Sequence, residues 1–332
     1  MTWTGPLFLI GMPRSGTKLL RELLNASGRV GIPYAESEFL PYWLSRWSGW
    51  GDLSDRATFQ RFYDEVSQLP YFGYERSQGV HLDADTWHRS CAAYTPAAVF
   101  EALIRHDAAV PPGSDRVWGD KSPSYIEHMP LLRGLYPDAR FLHIVRDVRD
   151  YCLSIQKAWS KSPIRAAQRW TDRVQRARAD AAAFPHAYLE VRYEDLLRAP
   201  ELVLQRCCAL LDIPYDPAML ALSRPTENLG DARGMPGLKR DNTEKWRAAM
   251  DPRTRARVES VAADVLRSLG YPVEHPGPPV RVPTAELRAL QVLDGLGLIR
   301  AEIAERGLPG AVRFRWQTFR ISGNRRMHRQ DR

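Results

Sequence analysis

The stretch that decides the fold is LFLIGMPRSGTKLL, residues 7–20. Its first four residues form a continuous apolar run, which is typical of a strand buried on both faces of a parallel sheet. Gly11 to Gly16 then predicts a turn, and leucines at helical spacing follow it. These are Leu19, Leu20, Leu23 and Leu24. The sequence therefore predicts a strand, a glycine turn and a helix within its first 27 residues.

The same order of elements returns along the chain. Apolar runs predict strands at 141–145 and 188–191, and weaker runs predict strands at 29–32 and 116–118. Helices are predicted at 55–68, 96–109, 124–135, 147–159, 163–183, 200–211, 252–268 and 284–306. Strands that alternate with helices favour an α/β fold with a central, mainly parallel sheet.

Composition indicates a globular chain with an uneven charge. Hydrophobic residues make up 44% and charged residues 26% of the 332 residues, ordinary values for a protein with a full core. The net charge of +8 suggests an anionic partner. Residues 311–332 contain seven arginines and one acidic residue, Asp331, and so carry a net charge of +6. This leaves a net charge of +2 for residues 1–310. This tail is a candidate for contact with an acidic substrate, a membrane surface or the other subunit of a homodimer, or is a disordered end.

The cysteines and apolar runs bear on the cellular compartment. Cysteines stand at 91, 152, 207 and 208, and the adjacent pair does not suit a disulfide framework. The lack of a CxxC pair weighs against a thiolate zinc site. No run reaches the roughly 18 apolar residues of a membrane-spanning helix, and residues 6–12 do not resemble a signal peptide. We therefore expect a soluble, cytoplasmic protein.

Five prolines between residues 272 and 283 indicate a linker. We predict a catalytic domain over residues 1–275, in which 39–110 form a helical insertion. Residues 276–332 are then a proline-rich linker, an amphipathic helix and the basic tail.

The turn between Gly11 and Gly16 suits an anion, because backbone N–H groups and the positive end of the following helix both face it. Its two glycines match the ATP-binding loop G-x-x-x-x-G-K-[ST]. The next pair, Thr17-Lys18, reverses that loop's lysine and hydroxyl. This reversal argues against ATP and for a ligand with a 5′-phosphate and no triphosphate.

Residues 13–17, PRSGT, resemble the P-[KR]-S-G-T loop of sulfotransferases that use 3′-phosphoadenosine 5′-phosphosulfate (PAPS). The resemblance implies a P-loop-containing three-layer sandwich. It also implies that the nucleotide's 5′ end contacts a set of residues in this loop. They are Pro13, Arg14, Ser15, Gly16, Thr17, Lys18 and Leu19.

A second motif supports the resemblance. Family members bind the 3′-phosphate with an arginine after a strand and a serine eight residues later, and Arg146 and Ser154 have that spacing. Arg149 is interpreted as a solvated charge. YEDL from Tyr193 is similar to the segment whose tyrosine approaches the adenine. Lys239 and Arg240 resemble the basic loop over the nucleotide, although the glycine-rich R-K-G segment of the cytosolic enzymes is absent.

The resemblance also implies the catalytic residues. ESEFLP, residues 36–41, is similar to the E-x-x-[FV]-[FI]-P stretch of tyrosylprotein and heparan enzymes, and counting back from Pro41 selects Glu36 over Glu38 as general base. Lys121 in GDKSP matches a lysine that reaches the transferring sulfuryl group. Arg14 is assigned to the leaving phosphate. No metal is expected to be required.

The acceptor is a hydroxyl or amine of unknown class, such as a carbohydrate, lipid or natural product. Aromatic residues between 39 and 95 either line an acceptor cleft or form the core of a helical cap. A P-loop nucleotide or small-molecule kinase is the alternative enzyme. A nucleic-acid-binding protein is the non-enzyme alternative, but no helix-turn-helix, RNP or zinc motif supports it.

Overall fold

The computed structural model describes residues 3–222 and 238–297, together with the single residues 234 and 307. The basic tail, residues 311–332, lies outside the described residues, as does the end of the helix predicted over 284–306. The described residues form two compact units. The first contains those within Met1–Tyr151 and Asp172–Lys245, and the second contains those within Cys152–Thr171 and Trp246–Arg332. The domain boundary at residue 275 stays a prediction.

The first unit is built on a parallel sheet of five strands, in the order β2-β3-β1-β4-β5. The strands are β1 Leu7–Gly11, β2 Val30–Gly31, β3 Val117–Lys121, β4 Arg140–Val145 and β5 Tyr188–Arg192. Each lies where an apolar run predicts a strand. The chain builds β2 and β3 on one side of β1, then crosses to β4 on the other. The carboxyl ends of β1 and β4 therefore border the switch point where α/β sheets bind ligands.

Helices follow the strands, as the alternating pattern predicts. In chain order they are α1 Thr17–Asn25, α2 Leu40–Arg46, α3 Arg56–Val66, α4 Pro70–Ser77, α5 Ala84–Ser90, α6 Pro96–Asp107, α7 Met129–Leu135, α8 Val148–Trp159, α9 Pro163–Ala181, α10 Tyr193–Arg198, α11 Pro200–Leu211, α12 Trp246–Ala249 and α13 Pro252–Ser268. Residues 284–297 are also helical. Within the described ranges, no helix is both long and apolar enough to cross a bilayer.

Both faces of the sheet are covered, which confirms the three-layer sandwich. Phe8 and Ile10 of β1 pack in one hydrophobic cluster, and Leu7 and Leu9 pack in another. The first cluster includes side chains of α2–α6, and the second includes side chains of α1 and α11. Successive side chains of a strand point to opposite faces. A strand covered on both faces is therefore apolar throughout, as the first run of the sequence is.

Five helices, α2–α6, lie between β2 and β3 and contain most of the aromatic residues discussed above. Trp43 and Trp87 are fully buried, with ring centroids 5.8 Å apart. Phe39 packs on Trp43 at 4.6 Å. Tyr74 is 42% exposed and differs from them. The structure therefore favours a helical core over an acceptor cleft for most of this set.

The single helix predicted over 124–135 is wrong. The chain forms a 3-10 helix over Pro123–Glu127, and α7 begins separately at Met129. Pro130 explains the break, because a proline has no N–H to donate and restricts the residue before it. Such a residue suits the first turn of a new helix better than the interior of a longer one.

The second unit is helical, and buried carboxylates link its segments. Asp294, 6% exposed, accepts a hydrogen bond from the Ser162 N–H at 2.7 Å and pairs with Arg165 at 2.7 Å. Glu259 of α13 is fully buried and accepts a 2.8 Å hydrogen bond from the His275 N–H. These contacts hold residues beyond α13 inside this unit.

Candidate active site

The turn between Gly11 and Gly16 that is predicted to bind an anion, called the anion loop below, lies between β1 and α1. Gly16 has a φ of 93°, and a Cβ there would lie 2.4 Å from the Tyr193 ring, so only glycine fits. Ser15 is fully buried, and its Oγ has no hydrogen-bond partner among the described residues. An unpaired buried hydroxyl is rare and calls for an explanation, which a bound ligand provides. The loop thus offers a hydroxyl and the N-terminus of α1 to an anion.

Arg146, directly after β4, lies against this loop. Its Nη1 donates to the Arg14 carbonyl at 3.1 Å, and its Nη2 donates to the Asn242 carbonyl at 3.2 Å. Its guanidinium lies 4.8 Å above the Tyr193 ring, and the Asn242 side chain donates to the Tyr193 hydroxyl at 2.7 Å. The structure therefore brings Arg146 against the Arg14 carbonyl and the Tyr193 ring, and adds Asn242.

The other predicted binding residues have varied surroundings. Pro13 and Lys18 are half-buried, Thr17 is 5% exposed, and the Leu19 side chain packs in the core. Lys239 is half-buried and Arg240 is exposed, on a turn that the Asn242 N–H closes onto the Lys239 carbonyl at 3.1 Å. Ser154 lies in α8 and belongs to the second unit. The roles of these residues stay predictions.

Glu36 and Lys121 form an ion pair at the carboxyl edge of β2 and β3. Lys121 is fully buried, whereas the Glu36 side chain is 35% exposed. Burial lowers the pKa of Lys121 to about 8, the positive charges of Arg21 and Lys18 also lower it, and the carboxylate of Glu36 opposes the shift. The two predicted catalytic side chains are therefore in contact, with Glu36 open to solvent.

Hydroxyl groups hold the loop that follows Glu36. The Ser37 hydroxyl lies 2.7 Å from that of Tyr125 and 3.4 Å from that of Ser122. The Glu38 N–H donates to Ser122 Oγ at 3.2 Å, and the Leu40 N–H donates to the Tyr125 hydroxyl at 3.3 Å. The segments that follow Glu36 and Lys121 are thus joined to each other just beyond the ion pair.

Asp120 precedes Lys121 on β3 and is fully buried. Burial raises the pKa of its carboxyl to about 7, and the hydroxyls of Ser122 and Ser37 oppose the rise. Since an unfolded aspartate ionises near 4, the folded protein binds a proton more tightly between about pH 4 and pH 7. Asp120 therefore destabilises the fold increasingly as pH rises through this window.

We expect Asp120→Asn to stabilise the protein at pH 8 by on the order of 2–4 kcal/mol, because asparagine avoids burying the ionised carboxylate. The gain should shrink toward pH 5, where the carboxyl is neutral. Urea unfolding at both pH values measures it, and Asp115→Asn, which changes an exposed carboxylate, is the control. A stability difference that does not change with pH would contradict the argument.

The interpretation of Arg149 as a solvated charge is wrong. Its side chain is fully buried, and its Nη2 pairs with Asp147 at 2.7 Å. The backbone N–H of Asp147 in turn donates a hydrogen bond to the Glu194 carboxylate at 3.0 Å.

Among residues 3–222 and 238–297, no group of three or more His, Cys, Asp or Glu side chains is placed to hold a metal ion.

Three polar residues that touch the site escape the sequence analysis. Asn242 follows Lys239 and Arg240 in the segment that resembles the basic loop but has no predicted role, and Glu75 lies in a helix that no periodicity predicts. Arg21 does have a signal, since it is a charged residue among the four leucines of α1. Its burial at 5% exposure nevertheless depends on what packs over that helix.

Comparison with curated proteins gives relatives at low identity. A putative protein-tyrosine sulfotransferase of Caenorhabditis briggsae is 24% identical over 225 residues, which cover 64% of this chain and 68% of that protein. Nodulation protein NoeE of Sinorhizobium fredii is 26% identical over 298 residues, which cover 80% of this chain and 65% of that protein. The chain thus spans about two thirds of the length of these two relatives.

Solved structures share the fold. A sulfotransferase domain from the curacin biosynthetic pathway matches with a TM-score of 0.54 at 20% identity, over 82% of this chain and all of that domain. The sulfotransferase domain of the Synechococcus PCC 7002 olefin synthase matches with a TM-score of 0.50 at 23% identity, over 79% of this chain and 96% of that domain. The family model of the sulfotransferases matches residues 6–217, more than half of the chain and all five strands. This chain therefore belongs to the sulfotransferase family.

Proposed function

We propose that this sulfotransferase takes its sulfuryl group from PAPS and passes it to a hydroxyl or amine acceptor, with Glu36 as general base. The observation that carries the proposal is the Glu36–Lys121 ion pair, which places a partly exposed carboxylate on a buried cation at the same sheet edge as the anion loop. A kinase would need the lysine and hydroxyl that Thr17-Lys18 reverses. Family membership also weighs against that alternative.

The loop and Arg146 fit the two phosphates of PAPS. The unpaired buried hydroxyl of Ser15, the N-terminus of α1 and the crowded Gly16 form a cradle for the 5′-phosphate. A buried guanidinium such as that of Arg146 suits a phosphate, because its planar fork binds two oxygens at once. We assign the 3′-phosphate to Arg146, and the contribution of Ser154 stays a prediction from the motif spacing. Tyr193, Lys239 and Arg240 are the proposed contacts to the rest of the nucleotide.

The proposed chemistry is an in-line displacement at sulfur. Glu36 takes the proton of the acceptor hydroxyl while the acceptor oxygen forms a bond to sulfur. The bond between sulfur and the 5′-phosphate oxygen breaks, and that oxygen keeps the electron pair. Arg14 and the loop N–H groups stabilise the charge on the leaving phosphate, and Lys121 stabilises the sulfuryl oxygens. Glu36 later releases its proton to solvent.

The names of two relatives suggest acceptor classes. One is named a putative protein-tyrosine sulfotransferase and the other a nodulation protein, so phenolic and other hydroxyl acceptors both belong in a screen. We keep carbohydrates, lipids and natural products as candidate classes, and helices α2–α6 as the proposed acceptor side.

Binding and turnover together test the proposal. We expect PAPS and its product 3′-phosphoadenosine 5′-phosphate (PAP) to raise the melting temperature, and ATP to raise it much less. Radiolabelled PAPS should then label one class in a panel of tyrosyl peptides, phenols, oligosaccharides and lipid alcohols, or release sulfate slowly to water. A larger thermal shift with ATP than with PAP, and no transfer or hydrolysis, would overturn it.

The pH profile is a second expectation. Because burial lowers the pKa of Lys121 to about 8, its charge is lost as pH rises through about 8, and kcat/KM for PAPS should fall there. Lys18→Gln should move this decline to higher pH, because the charge of Lys18 lowers the pKa of Lys121. Rates measured from pH 6.5 to 9.5 check both; a flat profile to pH 9.5 would exclude a role for this charge.

We propose the cytoplasm, since all four cysteines are free thiols. We propose no nucleic-acid partner. Contact of the basic tail with a membrane surface or a second subunit stays a prediction that truncation at residue 310 tests through kcat/KM and oligomeric state.

A further inference from the structure

Four residues connect β2 to Glu36 along a loop: Ile32, Pro33, Tyr34 and Ala35. They form neither helix nor strand, so no regular ladder fixes their peptide groups. The position of the Glu36 carboxylate depends on the peptide planes just before it. What holds those planes therefore bears on the proposed base.

Arg21 of α1 holds the carbonyl side of this loop. Its Nη1 donates to the Tyr34 carbonyl at 2.7 Å and to the Pro33 carbonyl at 3.3 Å. Its guanidinium also lies 5.0 Å from the centre of the Tyr34 ring. Arg21 is only 5% exposed, and its charge is balanced by Glu22 at 2.6 Å. The helix that follows the anion loop thus reaches the loop of Glu36.

Glu75 of α4 holds the N–H side of the same loop. Its Oε1 accepts a hydrogen bond from the Ala35 N–H at 2.6 Å, and Glu75 is 2% exposed. Burial raises the pKa of Glu75, whereas the Ala35 N–H and the charge of Arg21 oppose the rise. This carboxyl comes from 40 residues further along the chain, in the helices between β2 and β3.

The Tyr34 carbonyl and the Ala35 N–H belong to one peptide group. Arg21 therefore binds the carbonyl oxygen and Glu75 binds the N–H of a single peptide group, one residue before Glu36. Burying two charged side chains is costly, and apolar replacements of similar volume are often no less stable. Charged partners are better explained by the orientation that they impose on this plane than by stability.

We propose that Arg21 and Glu75 are positioning residues, which clamp the Tyr34–Ala35 peptide so that the Glu36 carboxylate stays against Lys121. The inference rests on the proposed role of Glu36 as base. Neither residue needs to touch PAPS or the acceptor. The clamp would also connect the anion loop, through α1, to the loop of the base.

A double-mutant cycle tests the clamp. Glu75→Leu removes the acceptor of the Ala35 N–H and should lower kcat about 10–100-fold, since a small displacement of a catalytic group is costly. Glu75→Gln keeps an acceptor and should retain kcat within about threefold of wild type. In the Glu36→Gln background, Glu75→Leu should cost less than about threefold further, because its effect passes through Glu36. The Kd of PAP should not change.

The assay uses radiolabelled PAPS with the acceptor found in the panel, or with water, and urea unfolding confirms folding. Glu101→Leu, on α6 and paired with Arg105, is the matched control and should leave kcat unchanged. If Glu75→Leu does not fold, Arg21→Lys keeps the charge without the fork and should lower kcat about tenfold, with the same dependence on Glu36.

The outcomes separate the two proposals. If Glu36→Gln lowers kcat but folded Glu75→Leu and Arg21→Lys do not, the clamp alone is wrong. A loss in Glu75→Leu that persists in full in the Glu36→Gln background also overturns it, because the effect then bypasses Glu36. Wild-type kcat in Glu36→Gln itself overturns the base, and the clamp with it.

Discussion

Glu36→Gln should lower kcat about 10²–10⁴-fold and leave the Kd of PAP within about threefold of wild type. Glutamine keeps the size of the side chain and an oxygen for Lys121, but it does not take a proton at neutral pH. Because the substitution takes the carboxylate away from the fully buried Lys121, urea unfolding checks that the variant is folded. Turnover of radiolabelled PAPS and titration calorimetry with PAP measure the two quantities.

The control addresses both the loop and Lys121. Glu38→Gln changes a half-buried carboxylate two residues away and should keep kcat close to wild type. Since the Glu36 carboxylate raises the pKa of Lys121, its removal also favours the neutral lysine. The assay is therefore run at pH 6.5 as well as at pH 7.5, because the pKa of about 8 holds for Lys121 beside the Glu36 carboxylate and is lower in the variant. Unchanged kcat at both pH values in a folded variant that binds PAP would exclude Glu36 as the base.

Arg146→Ala should weaken PAP binding about 10²–10³-fold. The substitution removes a cation suited to a phosphate, and hydrogen bonds to charged groups are each worth about 1.5–3 kcal/mol. It also removes the donors to the Arg14 and Asn242 carbonyls, which leaves the anion loop less well held. Arg146→Lys keeps the charge but not the fork, so an intermediate loss of about tenfold is expected. Titration calorimetry with PAP measures these losses.

The strand itself provides a matched control. Arg140 begins β4 and Arg146 follows its end, so the two arginines lie at opposite edges of the sheet. Arg140 pairs with Asp212 at 2.6 Å, and Arg140→Ala should leave PAP affinity unchanged. Equal losses in the two variants would indicate a general effect of charge or folding, and PAP affinity within threefold of wild type in Arg146→Ala would remove Arg146 from the phosphate site.

Local patterns of apolar residues and glycines in the sequence predict much of the first unit. Apolar runs predicted all five strands, and the glycine turn with its leucines predicted α1. The same reasoning failed at residues 124–135, where apolar spacing continues across Pro130 but the helix does not. Helix α4 was missed because its buried residues, Tyr71, Phe72 and Glu75, do not follow an apolar stripe.

The candidate site likewise contains residues that the sequence predicts and residues whose surroundings it does not predict. The spacing of Arg14, Arg146 and Tyr193 followed from motifs, and the count from Pro41 selected Glu36, which the structure places against Lys121. The aromatic residues of α2–α5 left two interpretations open, and only their mutual packing favoured a core. Arg149 was misread because its burial depends on the elements around it and not on its neighbours in sequence.

Motifs and periodicity specified the order of strands and helices, the anion loop and the family resemblance, because each depends on residues close together in the chain. Only the tertiary structure buries Lys121 and Asp120. Burial lowers the pKa of Lys121 and raises the pKa of Asp120. The tertiary structure also pairs Glu36 with a lysine 85 residues away, Arg146 with Asn242 across 96 residues, and Ala35 with Glu75 across 40. The contact of Glu36 with Lys121 comes from parallel strands that place distant loops at one edge of the sheet, whereas Glu75 comes from helix α4. Burial strengthens these charge interactions.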